Sequence, residues 1–188
     1  DPFWGGIYDA FRQKKYAYYL FHSQMPATFK SDVVESGPMV YMMHEMTPSS
    51  EPDVTVYSNC DSVRLSIYDG AKSWTLPVEH QAGHMPNKPV VFKDVWHFMD
   101  ARSYSYNKKS WHKANLVAEG IIGGKVVCTD KRMPSRRSTK LRLYADTMGK
   151  NLVADGSDFV VVVAEVTDDS GNVRRLAKED IVFSVEGE

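Results

Sequence analysis

Two alternating runs, Val54–Ser58 and Val63–Tyr68, limit what this chain can become. In the first, Val54, Val56 and Ser58 face one side, and Thr55, Tyr57 and Asn59 the other. In the second, Val63, Leu65 and Ile67 point inward while Arg64, Ser66 and Tyr68 point outward. A period of two over both runs is the mark of half-buried strands, and Asn59-Cys60-Asp61 reads as the tight turn of a hairpin between them. Asp69-Gly70 supplies a further turn, since glycine takes positive φ at no steric cost. A lone hairpin is marginal in water, so these strands must pack on more sheet, and the expected fold is a mainly-β sandwich.

The flanking segments extend this reading. Tyr16, Tyr19 and Leu20, widened by Tyr18 and Phe21, recur at helical spacing and predict a short N-terminal helix that Pro26 stops. Such a helix does not hold alone. Its aromatic face must cover either the sandwich or structure outside this chain. Met39–His44, Trp74–Val78 and Val90–Val95 read as strands, the second at an edge because Pro77 is tolerated there. Asn115–Gly120 and Lys125–Thr129 read as a second hairpin across Gly123-Gly124. Phe98–Ser110 shows no clear period. Lys140–Ala145 is a candidate closing strand of the first sandwich. Beyond it, Leu152–Ala154, the Val run of Asp158–Thr167 and Ile181–Val185 predict the start of a second, incomplete sandwich, with the Val run buried on both faces. Three regions result: 1–26, 27–146 and 147–188. The abrupt ends, Asp1-Pro2-Phe3-Trp4 and Val185-Glu186-Gly187-Glu188, suggest a piece of a longer protein.

Composition narrows function mainly by exclusion. A net charge of −1 over 188 residues gives no electrostatic reason to expect nucleic acid or an anionic membrane. The six positive charges between Lys131 and Arg142 fit a solvated linker better than a nucleic-acid patch. The apolar run Tyr16–Phe21 is too short to span a bilayer, so no membrane span is expected. His80 and His84 have the i, i+4 spacing of a metal pair, but Gly83 and Pro86 argue against the helix that pair needs; no metal site and no cofactor are expected. Cys60 and Cys128 read as two buried thiols, with an inter-strand disulfide open only in an exported protein. Exposed aromatics remain. Trp74, Trp96 and Trp111 fall in or beside loops and are candidate sugar-stacking residues, because sugar C–H faces meet the negative face of an aromatic ring.

Three stretches together are similar to a known family. GGIYDAFRQKKYAYYLFHSQ at 5–24 resembles the end of the catalytic (β/α)8 barrel of glycoside hydrolase family 2, in the bacterial β-galactosidase branch; the family usually has proline where this chain has Lys14. VTVYSNCDSVRLSIYDG at 54–70 resembles a strand pair of the domain after the barrel. LVADGSDFVVVVAEVTDDSGN at 152–172 resembles the opening of the last immunoglobulin-like domain. All three stand in the family's order.

The resemblance implies a parent that is a retaining exo-glycosidase, a chemistry that needs two carboxylates about 5 Å apart. In the family these lie in an Asn-Glu and a Ser-Glu-aromatic motif. The chain has no Asn-Glu dipeptide, and Ser50-Glu51 is followed by Pro52, so no catalytic residue carries over. Region 1–26 is then the last barrel loop and helix, and Trp4 a candidate substrate-binding residue. The implied role is an accessory one, bracing the barrel in a chain inactive by itself. A carbohydrate-binding β-sandwich module or a structural interaction domain is the alternative. The expected partners are the rest of the parent polypeptide, carbohydrate, and a second copy meeting through the incomplete sandwich. The resemblance also favours the periplasm or cell surface; no residue of the chain carries an address.

Overall fold

A computed structural model describes residues 5–107, 109–147, 149 and 151–186. It is mainly β, and it divides into two compact units, Asp1–Pro134 and Ser135–Glu188.

In the first unit a helix, α1 (Tyr16–Ser23), precedes seven strands: β1 (Val40–Met43), β2 (Val54–Ser58), β3 (Ser62–Ile67), β4 (Lys72–Pro77), β5 (Val90–Phe92), β6 (Leu116–Ile122) and β7 (Lys125–Arg132). They form two antiparallel sheets, ordered β1-β2-β5 and β4-β3-β6-β7. The inner faces meet in one core of Met42, Val54, Val56, Val63, Leu65, Ile67, Phe92, Trp96, Leu116 and Ala118. Each such apolar side chain taken fully out of water contributes about 1.5–3 kcal/mol, the main force closing the sandwich. The Gly123-Gly124 turn joins β6 to β7 with φ of 55° and 76°, the mirror-image turn whose twist suits a hairpin.

The alternation of β3 holds residue for residue: Val63, Leu65 and Ile67 are buried, and Ser62, Arg64 and Ser66 partly exposed. The tight turn before it does not form. β2 lies in one sheet and β3 in the other, so Asn59-Cys60-Asp61 is a crossover between sheets rather than a hairpin. A two-residue hairpin loop of the favoured type needs positive φ, and none of these three residues has it. Their polar groups bond elsewhere. The Asn59 side chain accepts from Met39 N (2.8 Å) and donates to Met25 O and Gly37 O (3.0 Å each). Asp61 N donates to Ile121 O (2.9 Å). Asn59 is therefore buried, and Tyr57, on the same face of the alternation, is buried as well.

Other departures have equally local causes. Phe98–Ser105 is a second helix, α2, despite its weak pattern; Tyr104 stacks on Tyr68 with ring centroids 4.6 Å apart, and Ala101 is buried. Lys140–Asp146 is β8, but it pairs with β9 (Val161–Thr167) in the second unit instead of closing the first sandwich. The Val run is not buried on both faces. β9 has a single ladder partner, and Val162 remains 46% exposed. Residues 152–154 and 181–185 form no strand. Among the described residues, the second unit is thus one two-stranded sheet plus turns. One of these turns is organised by Asp168, whose Oδ1 accepts from Ser170 N (2.9 Å) and Asn172 N (3.0 Å).

Candidate functional site

The predicted site residues do not come together. Trp4 lies outside the described residues. Trp96 is 1% exposed and sits in the core, where its ring meets His44 edge-on at 5.4 Å; it has no face left for a sugar, which corrects the expectation for this residue. Trp74 is the ladder partner of Leu65, so it shares the inward face of β3 and packs, half-buried, against the core at the sheet edge. Trp111 stands half-buried on a single 3₁₀ turn, Trp111–Lys113, edge-on to His112. Two open surface hollows of about 620 and 530 Å³ are lined by none of these tryptophans. Among the described residues no group of three or more His, Cys, Asp or Glu could hold a metal, and no helix is long and apolar enough to cross a membrane.

Among the described residues, one polar and aromatic constellation holds none of these tryptophans. It is the seam between residues 7–25 and the edge of the sandwich. Tyr19 on α1 stacks on Tyr41 of β1, nearly parallel, with centroids 3.5 Å apart. The Arg132 guanidinium lies 4.5 Å from the Tyr41 ring centre. Tyr16 donates its hydroxyl to Glu45; Tyr18 donates to Glu35 (2.9 Å), which also pairs with Lys14. At the C-terminal end of α1, Gln24 Nε2 donates to Asn87 O and Asn87 N donates to Gln24 Oε1, both at 3.0 Å. Asn87 Nδ2 donates to Ser23 O (2.6 Å). The Asn59 bond to Met25 O ends the series.

The sheet edge under this helix is itself plugged by charge. Asp130 and Arg132 face inward from β7, opposite Ala118 and Leu116 of β6. Asp130 Oδ2 accepts from Met42 N at 2.8 Å, Arg132 Nη1 donates to His44 O at 3.1 Å, and the two side chains pair at 3.1 Å. These bonds satisfy backbone groups that the edge strand β1 would otherwise leave open. His44, 5% exposed, holds one tautomer: Nε2 donates to Glu51 O (3.0 Å) and Nδ1 accepts from Met46 N (3.2 Å).

The electrostatics suit a joint rather than a reaction centre. Burial, reinforced by the carboxylates of Glu45 and Glu35, pushes the phenols of Tyr16 and Tyr18 well above their usual range. Burial pulls His44 and His22 below the ordinary imidazole value. The seam therefore stays locked in neutral phenol and neutral imidazole forms at pH 7. Its rings are stacked on one another, and its carboxylates are occupied by Tyr and Lys donors.

This arrangement defines the class: an immunoglobulin-like β-sandwich with a preceding helix tied to one edge. No family model matches the chain. The beta-galactosidase of Thermoanaerobacter pseudethanolicus is 29% identical over 187 residues, which are 97% of this chain and 23% of that protein. The beta-glucuronidase of Formosa agariphila is 25% identical over 184 residues, 97% of this chain and 16% of its own length. Among solved structures, a beta-glycosidase from Bacteroides vulgatus aligns at a TM-score of 0.57 and 24% identity, over 89% of this chain and 18% of that one. A beta-glucuronidase from glycoside hydrolase family 2 aligns at 0.60 and 22%, over 92% and 15%. The structural likenesses show the fold. Along nearly its whole length the chain is similar to enzymes of the β-galactosidase and β-glucuronidase kind, and it spans less than a quarter of the length of the curated relatives it matches.

Proposed function

We propose that this chain is the accessory, post-barrel part of a retaining exo-glycosidase, a β-galactosidase in specificity, and that it braces the catalytic barrel. Residues 1–26 act as the barrel's last loop and helix, and the sandwich holds that helix from outside. The observation that carries this reading is the seam, where aromatic stacking and buried amide bonds fix residues 7–25 to β1, the crossover and Asn87. A rigid grip on a short helix is what a brace requires, since an isolated helix of eight residues does not persist in water. Identity along nearly the whole chain to a beta-galactosidase supports the specificity. In the second unit, Leu141, Leu143 and Ala145 pair with Val166, Ala164 and Val162 to make one apolar sheet face, which we assign to contact with the rest of the parent polypeptide.

The chain alone is expected to hydrolyse neither nitrophenyl β-galactoside nor nitrophenyl β-glucuronide. Turnover lost on replacing one of its own glutamates would overturn the accessory reading. Titration calorimetry with galacto-oligosaccharides is expected to give a flat trace; saturable binding abolished by Trp74→Ala or Trp111→Ala would instead favour a carbohydrate-binding module.

A further inference from the structure

We propose that Cys60 and Cys128 are a redox-closable pair: a small-molecule disulfide oxidises them to a protein disulfide that staples the sheet-to-sheet crossover to β7. The two thiols are free, and their sulfurs stand 3.7 Å apart although the residues are 68 apart in sequence. Cys128 sits directly opposite Gly120 in the β6–β7 ladder. A Cβ built on Gly120 would lie 2.6 Å from both sulfurs. Gly120 is not at positive φ, so backbone conformation does not demand glycine there. Its missing side chain instead leaves the space in which the two thiols face each other.

Access and ionisation both suit exchange. Cys60 is fully buried, whereas Cys128 is partly exposed on the edge strand of its sheet, so an external reagent meets Cys128 first. The hydrogen bond from its neighbour brings the Cys60 thiol down to about 7, while the same contact pushes Cys128 up. The thiolate near neutral pH is therefore that of Cys60, and it stands ready to accept the Cys128 proton across the S–H···S contact. The steps balance. As the Cys128 sulfur attacks one sulfur of the external disulfide, its proton passes to the Cys60 thiolate 3.7 Å away; the external S–S bond breaks, and the first external sulfur leaves as a thiolate that takes the proton back from Cys60. Cys60 then attacks the Cys128 sulfur of the mixed disulfide, and the second external thiol leaves. The pair loses two electrons and two protons, and the external disulfide ends as two thiols.

The test is oxidised glutathione added to the reduced, folded chain at pH 7.5. The titratable thiols should fall from two to none. Non-reducing peptide mapping should show one crosslink between the segments holding residues 60 and 128. The thermal midpoint should rise by about 5–15 °C and return on adding dithiothreitol. Thiols that react only after unfolding, or stable glutathione adducts on both cysteines, would overturn the proposal. In Cys128→Ser the buried Cys60 should stay unmodified in the folded chain; fast glutathionylation of Cys60 there would overturn the order of entry.

Discussion

At the scale of single residues, the crossover depends on amide and glycine chemistry more than on hydrophobicity. Asn59 fills three hydrogen bonds to three separate segments from a buried position. Asn59→Ala leaves one N–H and two carbonyls unpaired, and urea melts should show a loss of about 2–4 kcal/mol. Gly120→Ala forces a methyl against two sulfurs; a loss of about 1–3 kcal/mol is expected from overpacking, and it should shrink when Cys60 and Cys128 are both alanine. His44 sets an acid limit. Burial lowers its folded pKa and Arg132 adds to the shift, against the Glu51 carbonyl and Glu45. The unfolded chain therefore takes up this proton first, near 6.5. Stability is complete above that value and is lost as pH falls below it, before most carboxylates titrate. The urea midpoint should drop between pH 7 and 5 and do so less in His44→Gln. His22, lowered by the same cause, accounts for part of the remainder.

At the scale of elements, α1 is held by its contacts and not by its own propensity. It has no side-chain N-cap bond and no acidic residue in its first turn. Tyr41→Ala removes both the Tyr19 stack and the ring under Arg132; amide exchange across Tyr16–Ser23 should speed by about 10- to 100-fold while β3 and β6 stay protected. The seam also has an alkaline limit. The Tyr16 and Tyr18 phenols are raised when folded, so the unfolded chain loses these protons first. The stability they contribute is full below about pH 10 and declines as pH rises beyond it. This scale also shows what the sequence could reveal. Alternation gave β3 and the Gly123-Gly124 turn gave the β6–β7 hairpin, because both are written in adjacent residues. The crossover reads as a turn because the partners that hold it across the sheets lie far off in the chain, as in Asn59 to Met39 and Asp61 to Gly123. The helix α2 was missed because its support, Tyr68 stacking on Tyr104, comes from another element. Trp96 reads as sugar-facing because it directly follows the strand-like run Val90–Val95 and falls beside a loop, and no local signal tells such a tryptophan from a core one. Half of the seam is legible: Tyr16, Tyr18 and Tyr19 at helical spacing mark an aromatic face that must be covered, whereas its cover, Tyr41 with Arg132, comes from other elements.

At the scale of the molecule, the first unit carries a closed core, and the second, among its described residues, a single ladder with an apolar face. These should melt separately, the second with the lower midpoint; a single cooperative transition by calorimetry and by near-ultraviolet circular dichroism would contradict that division. The central claim is that the sandwich steadies a catalytic barrel by holding its last helix. The direct measurement compares the parent enzyme, whole and with the sandwich and everything after it deleted beyond the α1 helix, by thermal midpoint and by nitrophenyl galactoside turnover. The account predicts a lower midpoint and a large loss of activity in the shortened enzyme. A shortened enzyme that keeps the full midpoint and full turnover would contradict it.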